Sequence, residues 1–125
     1  MVKVTALTKD EAENCPIRQI LVKITGKWSL LIFLTLEDGA LRFGALKRAI
    51  GDVTQRVLTE NLRTLEREGY VTRTVDPGPP VAVSYDLTPM GRDVLRHLHG
   101  LTIWAATHAD AVATCRDTYD ARAAG

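Results

Sequence analysis

Cysteine is nearly missing from this chain: its 125 residues include two, Cys15 and Cys115, 100 positions apart. Two thiols so far apart make no disulfide framework, and that usage points to a reducing compartment, so a cytoplasmic setting is expected. Long apolar runs are missing too. The longest, "WSLLIFLTL", is nine residues and includes Ser and Thr, far short of the roughly 20 that a membrane span needs. The opening stretch "MVKVTALTKDEAENCP" has no apolar core of the secretory type, so no membrane or export role is expected. A charge excess of either sign is also lacking, since 16 Lys and Arg stand against 15 Asp and Glu for a formal net charge of +1. Nothing global therefore argues for a polyanionic partner.

Catalytic signatures are equally scarce. There is no glycine-rich phosphate loop, no GxSxG and no paired carboxylate set, so the chain does not read as an enzyme. The only histidines are His97, His99 and His108. His97 and His99 stand about 200° apart on a helix and do not share a ligand shell easily, so no metal and no cofactor are expected. Internal repeats and low-complexity segments are absent.

What is present is ordinary for one soluble domain: 46% hydrophobic and 25% charged residues. Residues 1–14 look like a flexible arm. Cys15-Pro16 then opens a helix with proline at its first position, striped by Ile17, Ile20, Leu21 and Ile24 and stopped at Gly26. About Trp28 to Leu36 is apolar nearly all round and reads as the centre of the core. "ALRF" is a possible short strand. A third helix runs from about Phe43 to Ile50, and Thr54 caps a fourth that Gly69 terminates. The period then changes from 3.6 to 2. "YVTRTV" and "VAVSYDL" flank the turn sequence "DPGPP", which makes a β-hairpin. Thr88-Pro89 starts a last helix, expected to reach Arg116 before the tail "YDARAAG" frays.

The closely joined pair 43–50 and 54–68 fits a helix-turn-helix, and a hairpin directly after it supplies a wing. The expected fold is thus mainly α with a small β-hairpin wing: a winged helix-turn-helix domain over 15–125 with a long C-terminal dimerisation helix. That last helix, at some 28 residues, would span about 42 Å. Its stripe of Val94, Leu98, Leu101, Ala105 and Val112, broadened by Leu95 and Trp104, exceeds what one small domain can cover. A two-fold partner is the common solution. The alternative is a helix that folds back on its own domain.

The stretch "TQRVLTENLRTLEREGYV" carries the functional signal. At 100° per residue, Val57, Leu58, Leu62 and Leu65 share one side, while Arg56, Arg63 and Arg67 share the other beside Thr59 and Glu60. In a helix-turn-helix the second helix enters the DNA major groove and its N-terminal part reads base edges. Arg can fork onto guanine and Gln onto adenine. Thr54, Gln55, Arg56, Thr59, Glu60 and Arg63 are the expected readers, with Arg67 further along as a phosphate contact. The plain alternative is a solvated charged face with arginines paired to local acids. Charge is distributed accordingly: residues 42–73 hold seven basic against four acidic residues, net +3, while 74–125 hold four against six, net −2. Arg42, Lys47 and Arg73 extend the basic set, whereas the wing tip carries no Lys or Arg.

Cys15-Pro16, Gly26-Lys27-Trp28, Arg42-Phe43, "LTENLRTLEREGYV" and "YDLTPMG", in this order and spacing, resemble the HxlR-type transcription regulators, winged helix-turn-helix proteins related to the MarR group. The resemblance runs from about Cys15 to Trp104. It implies a bacterial or archaeal homodimer on double-stranded operator DNA, with the interface built from the first and last helices, here about 15–25 and 89–116. A two-fold protein implies an inverted repeat. In some members the cysteine matching Cys15 senses oxidants or electrophiles, and a helix N-terminus favours the thiolate that does so. A packed, unreactive thiol is the other reading. Cys115 could resolve an oxidised Cys15 if a dimer brought them together. Two alternatives stay open: a small ligand held among Trp28, Phe33, Trp104 and their neighbours, or a winged-helix module that binds protein.

Overall fold

The computed structural model describes residues 4–6 and 8–125. In chain order they form helices α1 (Lys9–Glu13), α2 (Pro16–Ile24) and α3 (Lys27–Thr35), strand β1 (Leu41–Arg42), and helices α4 (Phe43–Ile50) and α5 (Gln55–Arg67). Strands β2 (Val71–Asp76) and β3 (Ala82–Leu87) follow, then helix α6 (Pro89–Ala124).

The boundaries follow local chemistry. Proline stands in the first turn of both α2 and α6, where its missing N–H is no loss. The hydroxyls of Thr54 and Thr88 accept from Val57 N–H and Gly91 N–H and so satisfy donors that a helix start leaves orphaned. After α4 and α5 the chain must turn with positive φ, at Gly51 (95°) and Gly69 (89°), which glycine adopts without a Cβ clash.

The core is a single cluster. Ile32, Phe33 and Leu36 of the α3 region, Leu46 of α4 and Leu58, Leu62 and Leu65 of α5 are essentially removed from solvent. Phe33 meets Tyr70 edge-to-face at 5.8 Å between ring centres. Leu95 and Leu98 close the cluster from α6. Gly91 sits where α6 crosses the chain after α5; a Cβ there would lie 2.1 Å from the Tyr70 carbonyl oxygen. Lys23 on α2 donates to Glu68 at the end of α5, tying the first helices to the helix-turn-helix.

The described residues add detail at four points. Within the segment 1–14 expected as a flexible arm, Thr8 caps the five-residue α1, while residues 1–3 and 7 lie outside the described residues. Gly26 caps α3 rather than closing α2, which ends at Ile24 with Thr25 as its C-cap. The possible strand in "ALRF" is present as β1, which joins the hairpin wing in a three-stranded antiparallel sheet of order β1-β3-β2. The last helix does not stop near Arg116 with a frayed tail; it continues to Ala124 over 36 residues. That tail is rich in alanine and holds no glycine or proline before Gly125, so nothing in it breaks the helix. Beyond Leu98 the long helix meets its own chain only near its start, through His99, 2.8 Å from Glu37, and through Leu101, Thr102 and Ala105, which line a cleft against α3. Leu101, Trp104 and Tyr119 are 61%, 55% and 68% exposed. Trp104 stacks only on His108 of the next turn, at 4.3 Å. Among the described residues no helix is long and apolar enough to cross a membrane.

Two glycines of α6 should respond oppositely to one change. Gly91→Ala forces a methyl onto the Tyr70 carbonyl and should cost about 1–3 kcal/mol, the usual penalty of overpacking. Gly100→Ala meets nothing within 4 Å and should gain roughly 0.5–1 kcal/mol through helix propensity. Denaturant unfolding of both variants checks the pair; equal effects would refute the close approach at Gly91.

Candidate nucleic-acid interface

Burying three leucines dictates what α5 shows to solvent. With Leu58, Leu62 and Leu65 in the core, the helix turns Gln55, Arg56, Glu60, Arg63 and Arg67 outward, and Thr54 at its cap is exposed as well. Thr59 is half-buried. The outer face divides into two stripes. Arg56 and Glu60 pair at 3.1 Å across one turn, and Arg67 lies beyond them, 3.4 Å from Glu68. Thr59, Arg63 and Glu66, at i, i+4 and i+7, form the second stripe and face the wing, where they line a polar cleft of about 310 Å³ with Arg73 and Tyr85.

The wing supplies its half of this cleft through strand register. Side chains alternate across a strand, so Val71, Arg73 and Val75 share one face of β2. Arg73 pairs with Tyr85 on β3, which pairs in turn with Leu41 on β1. Val71, Tyr85 and Leu87 are buried, so this face is the one the sheet turns to the core. Arg73 therefore stands on the inner face, at the point where the sheet runs past the core and meets the outside of α5. Tyr85 packs its ring near Phe43, 6.4 Å between centres, and is 8% exposed.

The remaining basic residues frame this surface. Arg42 is exposed at the N-cap of α4 and pairs with Ser84 in the sheet. Lys47 is half-buried in the last turn of α4, next to exposed Arg48. Lys27 and Asp52 form an exposed pair at 3.8 Å beside the turn into α5. The wing tip, residues 76–81, is exposed and lacks any cation.

Nine of the ten expected interface residues lie on α5 or its cap, at the α4 N-terminus or on the wing; Lys47 lies in the last turn of α4, before the turn into α5. Reading the sequence alone missed Tyr85 and Glu66. Tyr85 looked like one more strand aromatic, and only the Arg73 register across from it carries the signal. The expected pairing of arginines with local acids holds for Arg56 and Arg67 and not for Arg63.

The cysteines lie apart from this surface. Cys15 is half-buried at the N-cap of α2, Cys115 is exposed on distal α6, and both are free thiols. Of the aromatic residues considered for a ligand pocket, Phe33 is core and Trp104 is open to solvent. The larger apolar cleft, about 400 Å³, lies between α3 and α6 and is lined instead by Leu30, Leu34, Leu98 and Leu101 with Thr25, Thr102 and Ala105. No group of three or more His, Cys, Asp or Glu among the described residues is placed to hold a metal ion.

A family model for the HxlR-like helix-turn-helix matches residues 23–113. The chain belongs to that family. The HTH-type transcriptional regulator YtfH of Escherichia coli is 37% identical over 106 residues, covering 85% of this chain and 84% of YtfH. The solved structure of YtfH from Salmonella typhimurium, named a transcriptional regulator, superposes with a TM-score of 0.79 at 36% identity, over 85% of this chain and 95% of that one. The redox regulator HypR in its reduced form gives 0.74 at 34% identity, over 80% and 99% of the two chains; its oxidised form gives 0.69 at 36%, over 74% and 96%. This HxlR-like chain is therefore a transcriptional regulator of the helix-turn-helix type, with a winged-helix fold, and its family and relatives are regulators rather than enzymes.

The tie that holds α5 against α2 should be visible in acid. The hydrogen bond from Lys23 holds the Glu68 carboxyl below its ordinary value of 4.5, and the charges of Lys23 and Arg67 add to the effect. A depressed carboxylate contributes stability that is present above the unfolded value and is lost as pH falls through the folded one. Wild type should thus lead Lys23→Met at neutral pH and lose that lead in acid, and the Glu68 titration followed by NMR should move upward in the variant. A Glu68 titration that Lys23→Met leaves unmoved would remove the tie.

Proposed function

We propose that this regulator acts in the cytoplasm as a homodimer on double-stranded operator DNA, with α5 in the major groove of each half of an inverted repeat. The observation that carries the reading is the outer face of α5. Gln55 and Arg56 stand exposed in its first turn, Arg63 and Arg67 follow on the same side, and Arg42 and Arg73 flank it. A helix N-terminus lined with Gln and Arg is what base-edge recognition needs, and flanking arginines suit phosphates. A protein-binding wing would have no use for this set.

The dimer is supported by α6. A helix of 36 residues reaches about 54 Å, yet Leu101, Trp104 and Tyr119 on it stay more than half exposed. Ile17, Ile20 and Leu21 of α2 are also substantially exposed. Apolar surface of this extent argues for a partner, and a second copy supplies one by symmetry.

Redox response is the signal favoured here. HypR, solved in both oxidised and reduced forms, is similar over most of the chain. Cys15 occupies a helix N-cap and is half-buried, and Cys115 is exposed as a second thiol. The competing signal is a small apolar ligand, for which the cleft between α3 and α6 has the volume.

Binding to duplexes from the promoter of its own gene tests the reading. Arg56→Ala and Gln55→Ala should each lower affinity and relax base preference, a lost bidentate base contact being worth roughly 1–3 kcal/mol. Arg67→Ala should weaken all sequences alike. Wild-type specificity in both first-turn variants, with the fold intact, would move recognition off α5. On a palindromic site the half-site centres should fall about one helical turn apart or a multiple of it; a monomer that binds one half-site equally well would contradict the dimer. A thiol oxidant should alter binding by wild type and leave Cys15→Ser unaffected, whereas indifference of wild type would pass the role to a ligand.

A further inference from the structure

The cleft between α5 and the wing holds an unusual set of idle polar groups. Among the described residues, the hydroxyl of Thr59, the guanidiniums of Arg63 and Arg73, and the hydroxyl of Tyr85 make no hydrogen bond or ion pair, although all of them line one space of about 310 Å³. Elsewhere on the same helix charge is satisfied locally, as in Arg56–Glu60 and Arg67–Glu68. Tyr85 is the telling member. It is 8% exposed, and no buried side-chain polar atom among the described residues goes without a partner. Its unpartnered hydroxyl must therefore open to solvent, and the cleft that Tyr85 lines is where it does so.

We propose that this cleft is an oxyanion clamp for a single phosphate group: Arg63 from the helix and Arg73 from the sheet close on it from two sides, while Thr59 and Tyr85 donate hydroxyl hydrogen bonds. Charge selects the source of that phosphate. Glu66 lines the same space, so two guanidiniums and one carboxylate leave one net positive charge. A phosphodiester carries one negative charge and is neutralised by it, whereas a phosphate monoester carries about −1.5 to −2 at neutral pH and is disfavoured by the carboxylate. The occupant is thus a backbone phosphate of DNA lying where the strand passes from α5 to the wing. This also explains how the wing engages DNA without a basic tip: the contact is made at its base, by Arg73. The inference rests on the DNA-binding reading and adds to it a phosphate site shared by two elements.

Because the contact is with the backbone, a short random-sequence duplex is a sufficient probe, with affinity followed against salt concentration. Arg63→Ala and Arg73→Ala should each flatten the logarithmic salt slope by about one unit. Tyr85→Phe, which keeps its ring near Phe43, and Thr59→Val should weaken binding about two- to tenfold with the slope unchanged, because they remove neutral donors. Arg122→Ala at the far end of α6 should leave affinity and slope as in wild type. Inorganic phosphate titrated without DNA, against chloride at equal ionic strength, should give no saturable NMR shift at Arg73 or Tyr85; saturation there would overturn the phosphodiester assignment in favour of a free anion. Wild-type affinity and slope in all four cleft variants would overturn the clamp while leaving DNA binding intact. A wild-type protein with no affinity for duplex would instead overturn the DNA reading on which the clamp depends.

Discussion

Everything at the candidate interface depends on the burial of Leu58, Leu62 and Leu65 against Ile32 and Phe33 of α3. Each such side chain taken from water is worth roughly 1.5–3 kcal/mol, several times the worth of an exposed ion pair. The leucines therefore decide the rotation of α5 about its axis, and the arginines take whatever direction is left. Since the inner face is apolar over about two turns, from Leu58 to Leu65, that direction is strongly specified. Rotating α5 by even a third of a turn would bury a guanidinium or expose a leucine, and neither is compensated anywhere in the domain.

The same logic sets the wing. Val71 and Leu87 anchor the base of the sheet in the core, and an antiparallel register cannot slip by one residue without sending both to solvent. Arg73 inherits its side from Val71, two residues earlier. An arginine on the core-facing side of a strand is costly unless the core ends there, and here it ends at the outer edge of α5. The cleft is thus the place where two apolar anchors, one on the helix and one on the sheet, each run out and are followed by a charged residue. Neither Arg63 nor Arg73 is held by an acid, because their separation is determined by backbone packing.

Much of this was legible beforehand, for local reasons. Thr54, Thr88, Pro16, Pro89, Gly51 and Gly69 punctuate the chain with capping and turn chemistry that acts within a few residues, and the helices between them fell where the pattern indicated. What was not legible is non-local. The sequence suggests the short strand β1 in "ALRF" but not its partner, the edge that β3 offers it through Tyr85 and Ser84. The pairing of Arg73 with Tyr85, and hence the cleft, depends on a register that a turn rich in glycine and proline does not announce. The length of α6 was underestimated for the opposite reason: its tail lacks any stop signal, and an absence is harder to weigh than a glycine or proline.

Charge completes the argument. The whole chain is close to neutral, yet residues 42–73 carry a net charge of +3 and residues 74–125 carry −2. A uniformly basic protein binds any polyanion and gains little from orientation. Here the long helix is mildly acidic and the helix-turn-helix mildly basic, so the electrostatic field favours one face over the other while the total attraction stays small. Such a protein has to draw affinity from contacts whose geometry is right. Arg56 is already steadied by Glu60 across one turn, and Arg63 and Arg73 are spaced by the packing beneath them. Pre-positioning of this kind lowers the entropy lost when a side chain is immobilised on a partner, so a face of fixed arginines on a chain of net charge +1 favours one geometry over general stickiness.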